Sequence, residues 1–139
     1  MVAAEEPAPG CRPAAGDLPA AVSQFCYSRL WSILFHPGAA TELRAIPAVE
    51  QTAIGHAAEK LESLGPNLGY PHSSKIRTAD NLRELRPRGG RSRWRVFYAQ
   101  VGEAFVVGAI GPAASVSQRN FARAVAAAER RIKDVEVEG

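Results

Sequence analysis

Three short segments, Asn81–Arg86, Arg93–Gln100 and Ala104–Ile110, follow one another with only tight turns between them. This succession limits the fold more than any other feature of the chain. The connections are Pro87-Arg88-Gly89-Gly90 and Val101-Gly102-Glu103. Turns this short cannot carry a crossover, so consecutive strands must run antiparallel, as a meander. The second and third segments are rich in aromatic and β-branched residues, which suit a pleated surface.

What flanks the meander must cover it. Leu30-Trp31-Ser32-Ile33-Leu34-Phe35 reads as a further strand, stopped by His36-Pro37-Gly38. A short helical turn is expected over Ala39–Ala45, then a longer helix with Pro47 at its first position. Ile54, Ala57, Ala58, Leu61 and Leu64 recur at helical spacing, with Glu50, Gln51, Glu59, Lys60 and Glu62 largely on the other face. Gly65-Pro66 ends that helix, and the chain to Ser74 reads as a loop. A last helix starts near Ser117, a suitable cap, and buries Phe121, Val125, Ala128 and Ile132. The expected fold is α+β: an antiparallel sheet of about four strands, helices against one face, and a C-terminal helix. Residues 1–27 are rich in Ala, Pro and Gly and lack periodicity, so they read as a flexible tail before one domain over 28–139.

The charge is unevenly placed. Lys75, Arg77, Arg83, Arg86, Arg88, Arg91, Arg93 and Arg95 face only Asp80 and Glu84 within positions 75–95, a net +6 in a chain whose total is +3. Arg outnumbers Lys, and its planar fork suits phosphate. A compact cationic surface on a rigid sheet can hold a polyanion; the plainer account is a solvated charged face. No apolar run reaches the ~18–20 residues that span a bilayer. The first residues lack the pattern of a secretion signal. Cys11 and Cys26 make no disulfide framework, and no Cys/His set has zinc spacing. The expectation is a cytoplasmic protein with no structural metal, no cofactor and no membrane partner.

Alternation assigns faces within the meander. Leu85 belongs in the core with Arg83 on its side, so Glu84 and Arg86 face outwards. Arg93, Arg95 and Phe97 share one face of the next strand, and Trp94, Val96 and Tyr98 the other; parity does not say which set is buried. Guanidiniums stabilise charge on a phosphorane, a carboxylate can take a proton from a ribose 2′-hydroxyl, and an aromatic ring can stack on a base. Together these would serve metal-free RNA cleavage. Each group also has a plainer use: Glu84 as an ion-pair partner, Trp94 and Tyr98 as packing, Lys75 and Arg77 as loop charges. Of the histidines, His56 reads as a surface residue, and His72 lies nearest the basic region.

The run Leu64-Gly65-Pro66-Asn67-Leu68-Gly69-Tyr70-Pro71, then Lys75-Ile76, Leu82-Arg83-Glu84-Leu85-Arg86 and Arg93-Trp94-Arg95-Val96-Phe97-Tyr98, resembles the HigB-like, phage-derived branch of the RelE/ParE toxin superfamily. Val106-Val107-Gly108-Ala109-Ile110 and the Ala-rich last helix fit the same layout. The resemblance covers roughly residues 30–135. It implies a type II toxin that cuts messenger RNA, usually on the ribosome, without metal. It implies Glu84, Arg86, Arg95 and Tyr98 as catalytic residues: Arg86 and Arg95 on the phosphate, Glu84 orienting an arginine or acting as base, Tyr98 placing a base. Lys75, Arg77, Arg88, Arg91, Arg93, Arg119 and Arg123 are the expected RNA- and phosphate-binding set. The implied partner is an antitoxin, commonly of helix-turn-helix type, encoded alongside. Relatives usually carry a basic pair after the last strand; here Gly111-Pro112-Ala113-Ala114 is uncharged, and Arg119 and Arg123 are the substitutes on offer. Two other readings stay open: a ParE-like gyrase inhibitor, and an inert member acting only with its antitoxin on operator DNA.

Overall fold

The four expected strands are present, the Leu30–Phe35 run supplying one edge of the sheet, and a further short strand forms the other edge. The computed structural model describes residues 30–138. In chain order its elements are β1 (Ser32–Phe35), α1 (Pro37–Ala45), α2 (Ala48–Leu64), β2 (Ser73–Lys75), β3 (Arg83–Leu85), β4 (Trp94–Val101), β5 (Ala104–Pro112) and α3 (Gln118–Glu138). Single 3₁₀ turns occupy Gly65–Asn67 and Pro87–Gly90. The expected tail and both cysteines lie outside the described residues.

Local chemistry sets the helix ends. The His36 Nδ1 accepts from the Gly38 N–H at 3.0 Å and caps α1, with Pro37 in its first turn. Gly65 closes α2 in the left-handed region at φ 57°, and any side chain there would run into the Trp31 indole. Ser117 caps α3, its Oγ accepting from the Asn120 N–H at 3.2 Å.

The sheet order is β1-β5-β4-β3-β2. Strands β3, β4 and β5 form the antiparallel meander, and β1 joins β5 in parallel. Part of the expected loop is instead the edge strand β2, with Ser73 opposite Leu85 and Lys75 opposite Arg83. Ser73-Ser74-Lys75 has no apolar alternation, so nothing in its pattern marks it as a strand.

Helices cover both faces rather than one. Ile54 and Leu61 of α2, with Ala39 of α1, pack on Leu85, Val96, Tyr98, Phe105 and Val107. On the opposite face, Val125, Ala128 and Ile132 of α3 pack on Phe97, Ala99, Val106 and Ala109. The α3 stripe is the one its spacing predicts. In α2 the buried set is Ala53, Ile54, Ala57 and Leu61, while Leu64 faces solvent. Double coverage resolves the parity question for β4: Val96 and Tyr98 fill one core, Phe97 the other. Each large apolar side chain so buried contributes about 1.5–3 kcal/mol. A register shift lies between Phe97 and Tyr98.

Candidate functional site

Glu84 is the centre of the basic region. Its Oε2 accepts from the Ser74 hydroxyl at 2.9 Å and from Arg86 Nη1 at 3.2 Å, and its Oε1 lies 3.5 Å from Arg95 Nε. The pairing of β2 with β3 sets Ser74 opposite Glu84, and β3–β4 pairing sets Glu84 opposite Phe97, two residues from Arg95. One carboxylate therefore gathers Arg86 and Arg95 at the same place. Both of its oxygens are engaged by these partners.

Arg86 is held at the rim. Its Nε donates to the Pro71 carbonyl at 2.9 Å, and its guanidinium carbon lies 5.1 Å from the centroid of the Tyr70 ring. Its side chain is 18% exposed. Among the described residues, Nη2 has no hydrogen-bond partner. Gly90, at φ 97°, leaves room for it: a Cβ there would come within 2.6 Å of Nη2. An arginine so fixed, with a donor to spare, can receive an anion.

Arg95 is not such a group. It is 6% exposed. Its Nη1 donates to the carbonyls of Ser92 at 2.7 Å and Trp94 at 2.9 Å, and Nη2 to that of Gly90 at 3.3 Å. Burial, then the charge of Arg86, pulls its pKa down, and Glu84 opposes both. Arg95, expected on the phosphate, is thus buried and turns three hydrogen bonds onto carbonyls of the 90–94 turn. Tyr98, expected to place a base, is enclosed as well. It is 2% exposed, packs edge-on to Phe105, and its hydroxyl bonds Ser73 Oγ at 2.6 Å, so its ring is not open to a base. Ser73 Oγ also accepts from Arg83 Nε at 2.9 Å.

The turn between β3 and β4 is tied to α2. Arg88, a non-glycine residue at φ 57°, pairs with Glu50 at 2.9 Å, and Ser92 Oγ donates to the same carboxylate at 2.9 Å. The hydrogen bond from Arg88 is the main reason that the Glu50 pKa is lowered. The helical pattern placed Glu50 on a solvated face; it is an anchor instead.

The remaining cations divide between surfaces. Lys75 and Arg77 border a cleft of about 750 Å³ between the β2–β3 edge and α3, opposite Phe121 and Glu129. Arg93 flanks a separate, mainly apolar groove beside Trp94 and Val116. Arg91 is exposed, its Nε donating to the Arg88 carbonyl. Arg119 and Arg123 are exposed on α3 and do not line either of these grooves. Among the described residues, Lys75, Arg77, Arg91 and Arg93 have no ion pair. Tyr70, 76% exposed beside Arg86, is the aromatic group the sequence reading overlooked. It sits in a loop without periodicity, and only its nearness to the basic run could have marked it. No group of three or more His, Cys, Asp or Glu side chains with metal-holding geometry occurs among the described residues, nor does a helix long and apolar enough to cross a membrane.

Residues 41–112, which hold the β-meander and the whole Glu84 cluster, match the model of a family described as phage derived protein Gp49-like. The chain belongs to the Gp49-like family. Its fold is that of RelE: a mutant of the E. coli toxin RelE, in the free state, superposes with a TM-score of 0.52 at 16% identity, over 69% of this chain and 95% of that one. Two toxin–antitoxin complexes also align, each with a TM-score of 0.48. They are RelBE2 from Mycobacterium tuberculosis (18% identity, 62% of this chain, 94% of that one) and RelB–RelE from Methanococcus jannaschii (17%, 62% and 96%). No curated protein sequence matches. The resemblance to the phage-derived, RelE-like group is borne out in family and fold. In this Gp49-like chain the strongest candidate functional residue is Arg86, with Glu84 as its orienting partner.

Proposed function

We propose that this Gp49-like protein is the toxin of a type II toxin–antitoxin pair, acting in the cytoplasm as a metal-independent endonuclease of messenger RNA, on the ribosome. The observation that carries the reading is Arg86: fixed by Glu84 and Pro71, stacked on exposed Tyr70, and keeping one nitrogen unspent. Around it Lys75, Arg77, Arg88, Arg91 and Arg93 supply charge for the flanking phosphates. Arg95 and Tyr98 act through structure, holding the turn and the β2 edge. The RelE fold and the Gp49-like family support a toxin; its partner in this reading is an antitoxin of helix-turn-helix type, encoded alongside. Residues 28–139 would be the active domain.

Expression of the chain should arrest growth, and co-expression of the neighbouring gene product should restore it. Arg86→Ala should relieve the arrest while the purified variant still folds, with a melting temperature lowered only by the loss of its bonds to Glu84 and Pro71. A second reading, an inert member that acts only with its antitoxin, draws on the uncharged Gly111-Pro112-Ala113-Ala114 segment and the outward placement of Arg119 and Arg123. Harmless overexpression together with a tight antitoxin complex would favour it.

A further inference from the structure

A groove of about 330 Å³ beside α2 is lined by His56, Lys60, His72, Arg86 and Arg88, among others. His56 and Lys60 are four residues apart on α2, and so share one strip of its surface. His72 is fixed by its main chain: its N–H donates to the Gly69 carbonyl at 2.9 Å, and its carbonyl accepts from the Arg86 N–H at 2.7 Å. No carboxylate is among the lining residues, and Glu50, the acid bound by Arg88, is already taken up by Arg88 and Ser92. Two side chains that can accept and release a proton therefore share one groove with three cations. The cluster around Glu84 lacks a free proton acceptor; this groove has two, and Arg86 belongs to both.

We infer that His56 and His72 are the acid–base pair of the RNA cleavage proposed above, and that this groove takes the scissile phosphodiester of single-stranded RNA. The inference rests on that functional reading. One imidazole, neutral, takes the proton of the ribose 2′-hydroxyl as its oxygen attacks phosphorus. The 2′-O–P bond forms and the P–O5′ bond breaks. The other imidazole, protonated, gives its proton to the departing 5′ oxygen. The products are a 2′,3′-cyclic phosphate and a 5′-hydroxyl end, with no oxidant, reductant or metal in the balance. Lys60 and Arg86 neutralise the phosphorane, and Tyr70, beside Arg86, stacks on an adjoining base.

The test is single-turnover cleavage of a short RNA, free and on programmed ribosomes, by the full chain and by its His56→Ala and His72→Ala variants. His72→Asn serves if His72→Ala fails to give a wild-type melting curve. Each variant should lose about 10²–10⁴-fold in rate. Binding of a strand made uncleavable by a 2′-deoxy substitution, read by fluorescence anisotropy, should change by less than about threefold, since proton transfer rather than grip is removed. A substrate with sulfur in place of the 5′ leaving oxygen needs no acid, and should restore the rate of one variant and not the other. Cleavage by both variants near the wild-type rate would overturn the inference and leave the toxin reading standing. Loss of uncleavable-strand binding in proportion to the rate would reduce the imidazoles to binding groups and also overturn it. A wild-type chain that cuts neither RNA would overturn both.

Discussion

Replacing Arg95 by Met keeps most of the side-chain volume and removes the guanidinium. The structure gives that group three hydrogen bonds to main-chain carbonyls, at 2.7, 2.9 and 3.3 Å, and a 3.5 Å contact with Glu84. Hydrogen bonds from a charged donor contribute about 1.5–3 kcal/mol each in net terms. The two shorter ones carry most of this, and they are not additive because they share one nitrogen. Against them stands the relief of burying a charge, itself several kcal/mol in order of magnitude. The balance is a loss of about 2–3 kcal/mol, which in a domain of this size lowers the melting temperature by roughly 10–20 °C. Calorimetry would read it directly. Anisotropy with an uncleavable RNA, at a temperature where the variant is folded, should show binding within about threefold of wild type, as for a residue that touches no phosphate. A variant of unchanged stability that no longer binds RNA would refute the reasoning, because Arg95 would then be a phosphate ligand rather than a brace.

Two further perturbations separate structural from functional groups. Tyr98→Phe removes the 2.6 Å bond to Ser73 and should cost about 1 kcal/mol in chemical denaturation, with RNA affinity unchanged. Glu50 has its folded pKa lowered below the ordinary 4.5, so its contribution is present above the unfolded value and is lost as pH falls through the folded one. Wild-type melting temperature should therefore drop more steeply below about pH 4.5 than that of Glu50→Gln; because Arg88 is well exposed, the difference should stay under about 1 kcal/mol. Equal slopes would show that Glu50 does not anchor the turn.

Much of this architecture is legible in the sequence because its signals are local. Tight turns at Gly89-Gly90 and Gly102 set the meander, Gly65-Pro66 stops α2, and the spacing of Val125, Ala128 and Ile132 finds the α3 stripe. What escaped depends on contacts made across the fold. Ser73–Lys75 is a strand only because β3 offers it a partner. Arg95 and Arg86 read alike in a one-dimensional pattern, yet one is walled in by carbonyls from its own turn and the other opens at the rim. Tyr98 followed the alternation expected of a strand, but with helices on both faces neither side of β4 is free. Glu84 and Arg86 are brought together as their pattern suggested, and Tyr70 joins them from a loop with no periodic mark.

The central claim is that Arg86, held by Glu84, neutralises a scissile phosphodiester. Its most direct test is primer extension on messenger RNA recovered from a translating extract, after addition of purified wild-type protein or of folded Arg86→Ala. Discrete new 5′ ends with the wild type, reduced at least ~100-fold with the variant, are the expected result; the same ends at the same rate from both proteins would contradict it.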